Sequence, residues 1–304
     1  MILGIMINRL KKEKNAVILV HNYQPPEIQD VADYLGDSLA LAQSASKTDA
    51  EVIVVCGVDF MAENALILNP DKVVVLPDLA ATCPMAAMVT PEKLEKMMDK
   101  HPDAKVVSYV NTSAEIKALS DICCTSANAA QVVKSLPEKE IIFVPDRNLG
   151  KYVQRFTSQK IILWPGYCYV HRGIKKGQIM ELKKIHPDAE ILVHPECSPE
   201  VIDTADFVYS TGGMVRHAKK SNSKEFIIGT EEGLCYRLKK ENPDKKFYST
   251  GSVCSEMKKI TFEKLIRSLE NLKPRIKLPD EIIGAARKPV ERMMKIGGVD
   301  NEAA

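Results

Sequence analysis

One pattern is written three times in this chain, and it limits the possible folds more than any other feature. It reads NAVILVHNYQPPEIQDVADYLGDS from Asn15 and DAKVVSYVNTSAEIKALSDICCTS from Asp103, and the third copy lies within HPDAEILVHPECSPEVIDTADFVYSTGGM, His186 to Met214. The copies align without a gap. His21 pairs with Tyr109 and His194, Tyr23 with Asn111 and Glu196, Asp33 with Asp121 and Asp206, and Ser38 with Ser126 and Thr211. In every copy twelve residues lead from the first of these positions to the aspartate and five more to the hydroxyl. Equivalent positions recur 88 and then 85 residues apart (21 to 109, 109 to 194). That pitch is too long for a solenoid repeat and long enough for a small domain.

A second feature keeps the same pitch. Cys83 stands in KVVVLPDLAATCPMA, Cys168 in KIILWPGYCYVH and Cys254 in KKFYSTGSVCSEM, each after a Lys-led apolar strand and a short Pro or Gly turn. The spacings are 85 and 86 residues (83 to 168, 168 to 254). Each unit therefore ends one strand in a thiol.

The rest of each unit follows one order. An apolar run short enough for a buried strand opens it (Val17 to Val20, Val106 to Tyr109, Ile191 to Val193), then come a helical stretch and a second short run ending near the hydroxyl. An amphipathic helix follows, such as Leu39 to Lys47 or Ala127 to Ser135. Another strand lies in EVIVVCGVDF, KEIIFVPDR or KEFIIGTEE, and a further helix leads to the cysteine-bearing strand. Strands alternating with helices and buried on both faces imply parallel sheets. The expected fold is α/β: three similar three-layer αβα domains with parallel sheets, arranged with pseudo-threefold symmetry. The expected boundaries are 1–83 plus 261–304, 84–169 and 170–260. Past Cys254 the pattern stops. Thr261 to Leu272 and Pro279 to Lys295 read as two helices with a Lys-Pro break between them, a tail expected to pack on the first unit.

Composition narrows the partners. With 45% hydrophobic and 27% charged residues and a formal charge of +2, the chain is ordinary globular protein with its charges interspersed. Neither nucleic acid nor a membrane is an expected partner, and small-molecule chemistry is. The opening MILGIMINRLKKEKN is apolar and then basic, the reverse of a secretory signal, and reads as a short amphipathic helix. A cytoplasmic location follows, where eight cysteines serve as metal ligands or core residues sooner than as disulfides.

In open parallel sheets ligands collect beyond the carboxyl ends of the strands, where His21, Tyr23, Tyr109, Asn111, His194, Glu196 and the three recurring cysteines all fall. Three thiols brought to one centre suit a metal cluster. A [4Fe–4S] cluster on three cysteinates keeps one iron open as a Lewis acid. The competing reading makes them small buried hydrophobes, the role assigned to Cys56, Cys123, Cys124, Cys197 and Cys235, which do not recur. Ser38, Ser126 and Thr211 stand where a strand hands over to a helix, so each is either an N-cap or part of an anion cradle, and Gly212-Gly213 allows close backbone approach. Glu196 points to the same side of its strand as His194, a plausible proton-transfer pair; His21 and His171 are further acid–base candidates, or hydrogen-bonded structural residues. Tyr23 and Tyr109 offer phenols to a developing oxyanion, or else aromatic packing.

These motifs together resemble the quinolinate synthase family: His21-Asn22-Tyr23-Gln24, Gly36-Asp37-Ser38, Val58-Asp59-Phe60-Met61-Ala62-Glu63, Ala81-Thr82-Cys83-Pro84-Met85, Tyr109-Val110-Asn111, Thr125-Ser126-Ala127-Asn128, Pro145-Asp146-Arg147-Asn148-Leu149, His194-Pro195-Glu196-Cys197 and Ser210-Thr211-Gly212-Gly213-Met214. The resemblance runs from about residue 10 to the end. It implies three α/β domains around a pseudo-threefold axis that carries an oxygen-sensitive [4Fe–4S] cluster. The implied reaction condenses iminoaspartate with dihydroxyacetone phosphate to quinolinate, releasing phosphate and water, in NAD biosynthesis. The implied ligands are Cys83, Cys168 and Cys254. The implied substrate lining is Ser38, Ser126, Ser210 and Thr211 with His21, Tyr109, Asn111, His171 and His194, and Tyr23 and Glu196 are implied proton-transfer residues. Functional coupling to an iminoaspartate-producing enzyme is a further implication.

Two departures matter. Some family members carry a CxxCxxC run at the third ligand, whereas this chain reads Cys254-Ser255-Glu256-Met257-Lys258, so disulfide control built on that run is expected to be absent. Tyr167 stands where some members have His, with little effect expected. Two alternatives stay open on sequence: a cluster-dependent hydro-lyase of a small dicarboxylate, and a non-catalytic iron–sulfur sensor.

Overall fold

In a computed structural model, which describes residues 2–297, the apolar runs become three parallel four-stranded sheets separated by helices. The first sheet holds β1 (Ala16–His21), β2 (Tyr34–Gly36), β3 (Val52–Cys56) and β4 (Val73–Val75) in the order β2-β1-β3-β4. The second holds β5 (Lys105–Tyr109), β6 (Ile122–Cys124), β7 (Glu140–Val144) and β8 (Lys160–Leu163) in the order β6-β5-β7-β8. The third, β9 (Glu190–Val193), β10 (Phe207–Val208), β11 (Glu225–Gly229) and β12 (Lys246–Ser249), repeats it as β10-β9-β11-β12. The α/β class and the three like units are those expected from the repeat.

The strands form where they do because their residues are stiff, β-branched and buried on both faces, as in VIVVC of β3, all five of whose residues are buried. Register follows the same logic. Leu19 pairs with Tyr34, Val107 with Ile122 and Leu192 with Phe207, which are equivalent positions in the sequence alignment. The recurring aspartate explains why this register is held. The Asp33, Asp121 and Asp206 carboxylates accept from the amides of Ile18, Val106 and Ile191 at 2.8, 2.9 and 2.8 Å. Their own amides donate back to the carbonyls of the same three residues, each at 3.0 Å. Every unit thus clamps the entry to its second strand onto its first.

The hydrophobic core of the first unit runs without a break into one side of the second and into the C-terminal helices. The third unit keeps two clusters on opposite sides of its sheet, one including Ile191, Val193 and Ile227, the other Leu192, Phe226 and Ile228. The N-terminal helix Ile2–Glu13 buries Ile7 and Leu10 and carries Lys11 and Lys12 at its end, the amphipathic pattern expected of it. Helix Phe262–Asn271 lies against this helix, while helix Asp280–Lys295 runs between helix Asp59–Leu68 of the first unit and β6 with helix Ala114–Ala118 of the second. Between the two tail helices, Arg275 bridges Val75 in antiparallel fashion and Ile276 N donates to Val74 O at 2.9 Å, which covers the open edge of β4. No helix among the described residues is long and apolar enough to cross a membrane.

Candidate active site

The first strands of the three sheets all point their carboxyl ends at one cavity with about 770 Å³ of empty space, its mouth included. Its wall holds His21, Tyr109 and His194 from those strand ends, and two residues further on Tyr23, Asn111 and Glu196. Ser38, Ser126 and Thr211 face the same space, as do His171 and the three cysteines spaced 85 and 86 residues apart. Ser210 does not line it. Its Oγ caps helix Thr211–Lys220 by accepting from Gly213 N at 3.1 Å and donates to Asp37 Oδ2 at 3.3 Å. Gly212 is required there for packing between units: a Cβ would stand 2.5 Å from Asp37 Oδ2.

Backbone donors fix the tautomers of two histidines. Tyr23 N lies 3.2 Å from His21 Nδ1 and Glu196 N lies 3.4 Å from His194 Nδ1, and an amide can only donate. Both Nδ1 atoms are therefore acceptors, and the proton of each neutral ring sits on Nε2, where His194 meets Ser126 Oγ at 3.2 Å. Burial first, against the opposing pull of Asp37, lowers His21 to about 4. Burial first, then the neighbouring His171, lowers His194 to about 3. Both rings are neutral at physiological pH.

His171 is used differently. Its Nδ1 lies 2.7 Å from Glu196 Oε2, its Nε2 lies 2.9 Å from Thr230 Oγ1 and 3.3 Å from the Tyr23 hydroxyl, and its ring stacks on His194 with centroids 4.3 Å apart. The Tyr23 hydroxyl in turn meets Thr230 Oγ1 at 2.6 Å. A chain of hydrogen bonds runs from a phenol of the first unit to a carboxylate of the third. Burial alone would raise the Glu196 carboxyl, but His171 and the Tyr109 hydroxyl beside it outweigh that and bring it down to about 2. Burial, then the Glu196 charge, drives the Tyr23 and Tyr109 phenols well above their ordinary value. The site therefore pairs an ionised carboxylate with phenols that keep their protons.

The cysteines divide by exposure. Cys83, Cys168 and Cys254 are partly exposed to the cavity, whereas Cys56, Cys123, Cys124, Cys197 and Cys235 are buried. Cys197, beside Glu196, points its thiol at Gly229 O, 3.5 Å away and clear of the cavity. Donor atoms of Cys168, His171 and Glu196 lie within 4.8 Å of one another. His171 and Glu196 are committed to each other, so that trio is better described as a thiol beside a proton-sharing pair than as a mononuclear metal site.

The chain matches the quinolinate synthetase A protein family from residue 6 to residue 295. It belongs to that family. Quinolinate synthase of Thermodesulfovibrio yellowstonii is 54% identical over 301 residues, covering 96% of this chain and 99% of the relative. Quinolinate synthase of Geotalea uraniireducens is 54% identical over 292 residues (95% and 96%), and quinolinate synthase 2 of Methanosarcina acetivorans 52% over 294 (96% and 95%). Within this member of the quinolinate synthetase A family, Tyr167 lies against the Arg172 guanidinium, 4.1 Å from ring centroid to carbon.

Several groups at the site carry no role assigned from sequence. Thr230 joins Tyr23 to His171. Tyr169, one residue past Cys168, places its hydroxyl 3.6 Å from Cys254 Sγ and accepts from Ser255 N at 2.9 Å. Asp59, Asp146 and Glu231 each hold the amide of one cavity cysteine, at 3.1, 3.0 and 3.1 Å. A signal for these acids exists in VDF, PDR and TEE, an acid just past the third strand of every unit.

Proposed function

We propose that this chain condenses iminoaspartate with dihydroxyacetone phosphate to give quinolinate, releasing phosphate and water, at a [4Fe–4S] cluster held by Cys83, Cys168 and Cys254. The observation that carries the reading is the sorting of eight free cysteines: the three that recur once per unit are the three that open onto the central cavity. Burial, before any other influence, pushes Cys83 up to about 12 and raises Cys168 and Cys254 as well, so these thiols keep their protons until a cation replaces them. Three sulfurs and, among the described residues, no fourth cysteine on the cavity wall fit a cluster with one iron free of protein ligand. When bound, such a cluster supplies Lewis acidity to a substrate oxygen or nitrogen.

The remaining chemistry falls to side chains. Ser38 and Thr211 open helices Ser38–Ala45 and Thr211–Lys220, so their hydroxyls and the free amides behind them receive carboxylate or phosphate oxygens. Among the described residues neither Lys nor Arg lines the cavity, which leaves anion binding to helix ends, hydroxyls and imidazole N–H groups. Asn111 Oδ1 is buried with no hydrogen-bond partner among the described residues, an acceptor suited to an amine or hydroxyl of a bound substrate. Tyr23 and Tyr109 donate to oxygen on which negative charge develops. Glu196 takes up a substrate proton, with His171 holding the carboxylate in place and Thr230 and Tyr23 completing the path. The imine substrate is unstable in water, so supply by an iminoaspartate-producing enzyme is part of the reading.

The test is anaerobic. Reconstituted protein given both precursors should form a pyridine dicarboxylate and inorganic phosphate in equal amounts. Absence of the pyridine product from protein loaded with iron and sulfide defeats the proposal.

A further inference from the structure

Each cavity cysteine is held by the same device, and it lies behind the thiols. Asp59 Oδ1 accepts from Cys83 N at 3.1 Å, Asp146 Oδ2 from Cys168 N at 3.0 Å, and Glu231 Oε1 from Cys254 N at 3.1 Å. Each acid also ties down the helix start that follows it: Asp59 Oδ1 accepts from Phe60 N at 2.8 Å, Asp146 Oδ1 from Leu149 N at 2.7 Å, and Glu231 Oε2 from Gly233 N at 2.7 Å. A backbone bond closes each loop from the other side. The amides of Asp59, Arg147 and Glu232 donate to Ala81, Gly166 and Ser252, each two residues before a cysteine, all at 2.9 Å. A contact repeated in three units with different residue types, Asp, Asp and Glu, is built for the turn it holds.

We propose that Asp59, Asp146 and Glu231 are positioning residues for the three thiols, acting through hydrogen bonds to the cysteine amides. The proposal rests on the reading that these thiols hold an iron–sulfur cluster. An amide bonded in this way fixes the turn, hence the direction of the Cα–Cβ bond and the place where the sulfur can meet iron. The alternative role is purely electrostatic, three negative charges set behind three thiolates.

Oxygen usage separates the two roles. Both bonds of Asp59 fall on one oxygen, so Asp59→Asn can keep them with its carbonyl and turn its NH₂ away. Asp146 and Glu231 use both oxygens, so Asp146→Asn and Glu231→Gln must set an NH₂ against a backbone N–H, and one bond is lost. Glu231 also receives Lys258 Nζ at 2.8 Å on the oxygen that holds Cys254, which biases a glutamine carbonyl toward that side and strands Gly233 N instead. Positioning predicts unequal effects for three neutralisations; an electrostatic role predicts equal ones.

The experiment uses the full chain reconstituted anaerobically with iron and sulfide. It reads iron content, the electron paramagnetic resonance spectrum of the reduced cluster and the rate of iron loss to a chelator. Asp59→Asn should match the wild type in all three. Asp59→Ala and Asp146→Asn should lose iron roughly ten- to a hundred-fold faster with a changed spectrum, as expected for groups that orient metal ligands. Glu231→Gln should fall between. Asp206→Ala, which breaks a backbone clamp at the entry to β10 that does not line the cavity, should lower thermal stability without changing iron release. Should Asp146→Asn fail to fold, the two Asp59 variants alone decide. The proposal is overturned if Asp59→Asn loses iron as fast as Asp59→Ala, or if every variant releases iron at the wild-type rate. A wild-type chain that takes up no iron overturns the cluster reading itself, an outcome distinct from either.

Discussion

The imidazole of His171 and the carboxylate of Glu196 lie 2.7 Å apart, both side chains at most 3% exposed, with the ring's other nitrogen shared between Thr230 and Tyr23. A carboxylate buried to this degree stays ionised only because its neighbours favour the charge, chiefly His171 at hydrogen-bond distance and then the Tyr109 hydroxyl. Glu196→Gln keeps an oxygen for His171 Nδ1–H and keeps the volume, so the fold should survive. The charge and the proton acceptor are lost. Turnover should fall by roughly 10²- to 10⁴-fold, the range for a positioned general acid or base, with iron content unchanged. Steady-state rates on anaerobic protein, next to an iron assay of the same sample, check this; full turnover by the variant removes Glu196 from the chemistry.

Tyr23 and Thr230 meet at 2.6 Å across the boundary between the first and third units. Tyr23→Phe leaves Thr230 bonded to His171, and Thr230→Val leaves Tyr23 within 3.3 Å of the same ring, so each single change should cost about 1 kcal/mol of stability. For turnover the two changes break one path. The double variant should be little slower than the slower single one, a coupling energy of at least roughly 1 kcal/mol in the rate cycle. Additive losses in kcat would mean that Tyr23 and Thr230 act separately.

How much of this could be read from sequence follows from what the repeat preserves. The three like units with parallel sheets and the gathering of His21, Tyr109, His194 and the three cysteines depend on offsets that are identical or nearly so in the three copies, and offsets survive in one dimension. The anchoring acids were less visible. They stand 24, 22 and 23 residues before their cysteines and differ in side-chain length, so a gapless alignment does not bring them into line. Thr230 and Tyr169 have no repeated counterpart, since they act across unit boundaries where the pseudo-symmetry is broken. Ser210 shows the opposite effect: its neighbour Thr211 faces the cavity, but a helix N-cap must turn its hydroxyl back toward the amide of Gly213.

The recurring aspartates clamp strands together and do not line the cavity. Asp206 accepts from Ile191 N at 2.8 Å, and Ile191 is only 4% exposed, so Asp206→Ala strands a buried donor. The cost should be about 1–3 kcal/mol, read as a lower urea midpoint with unchanged slope. An unaltered midpoint would mean that water replaces the carboxylate freely at that strand.

Acid should weaken the fold through the two neutral histidines. In the unfolded chain each imidazole takes up a proton near its ordinary value of 6.5, while burial holds His21 off to about 4 and His194 to about 3. Below about pH 6.5 the unfolded state therefore binds more protons, so stability is fully present above that pH and declines as the solution is acidified toward the folded values. For His21 alone the complete loss is about 3 kcal/mol. Glu196 adds a loss of the same sign at lower pH, because its carboxyl, depressed to about 2, takes up a proton in the unfolded chain near 4.5. Comparing urea midpoints of metal-free protein at about pH 7.5 and about pH 5.5 isolates the imidazoles. His21→Gln should flatten part of that slope, and an equal slope in the variant would show that the His21 ring accepts its proton as readily folded as unfolded.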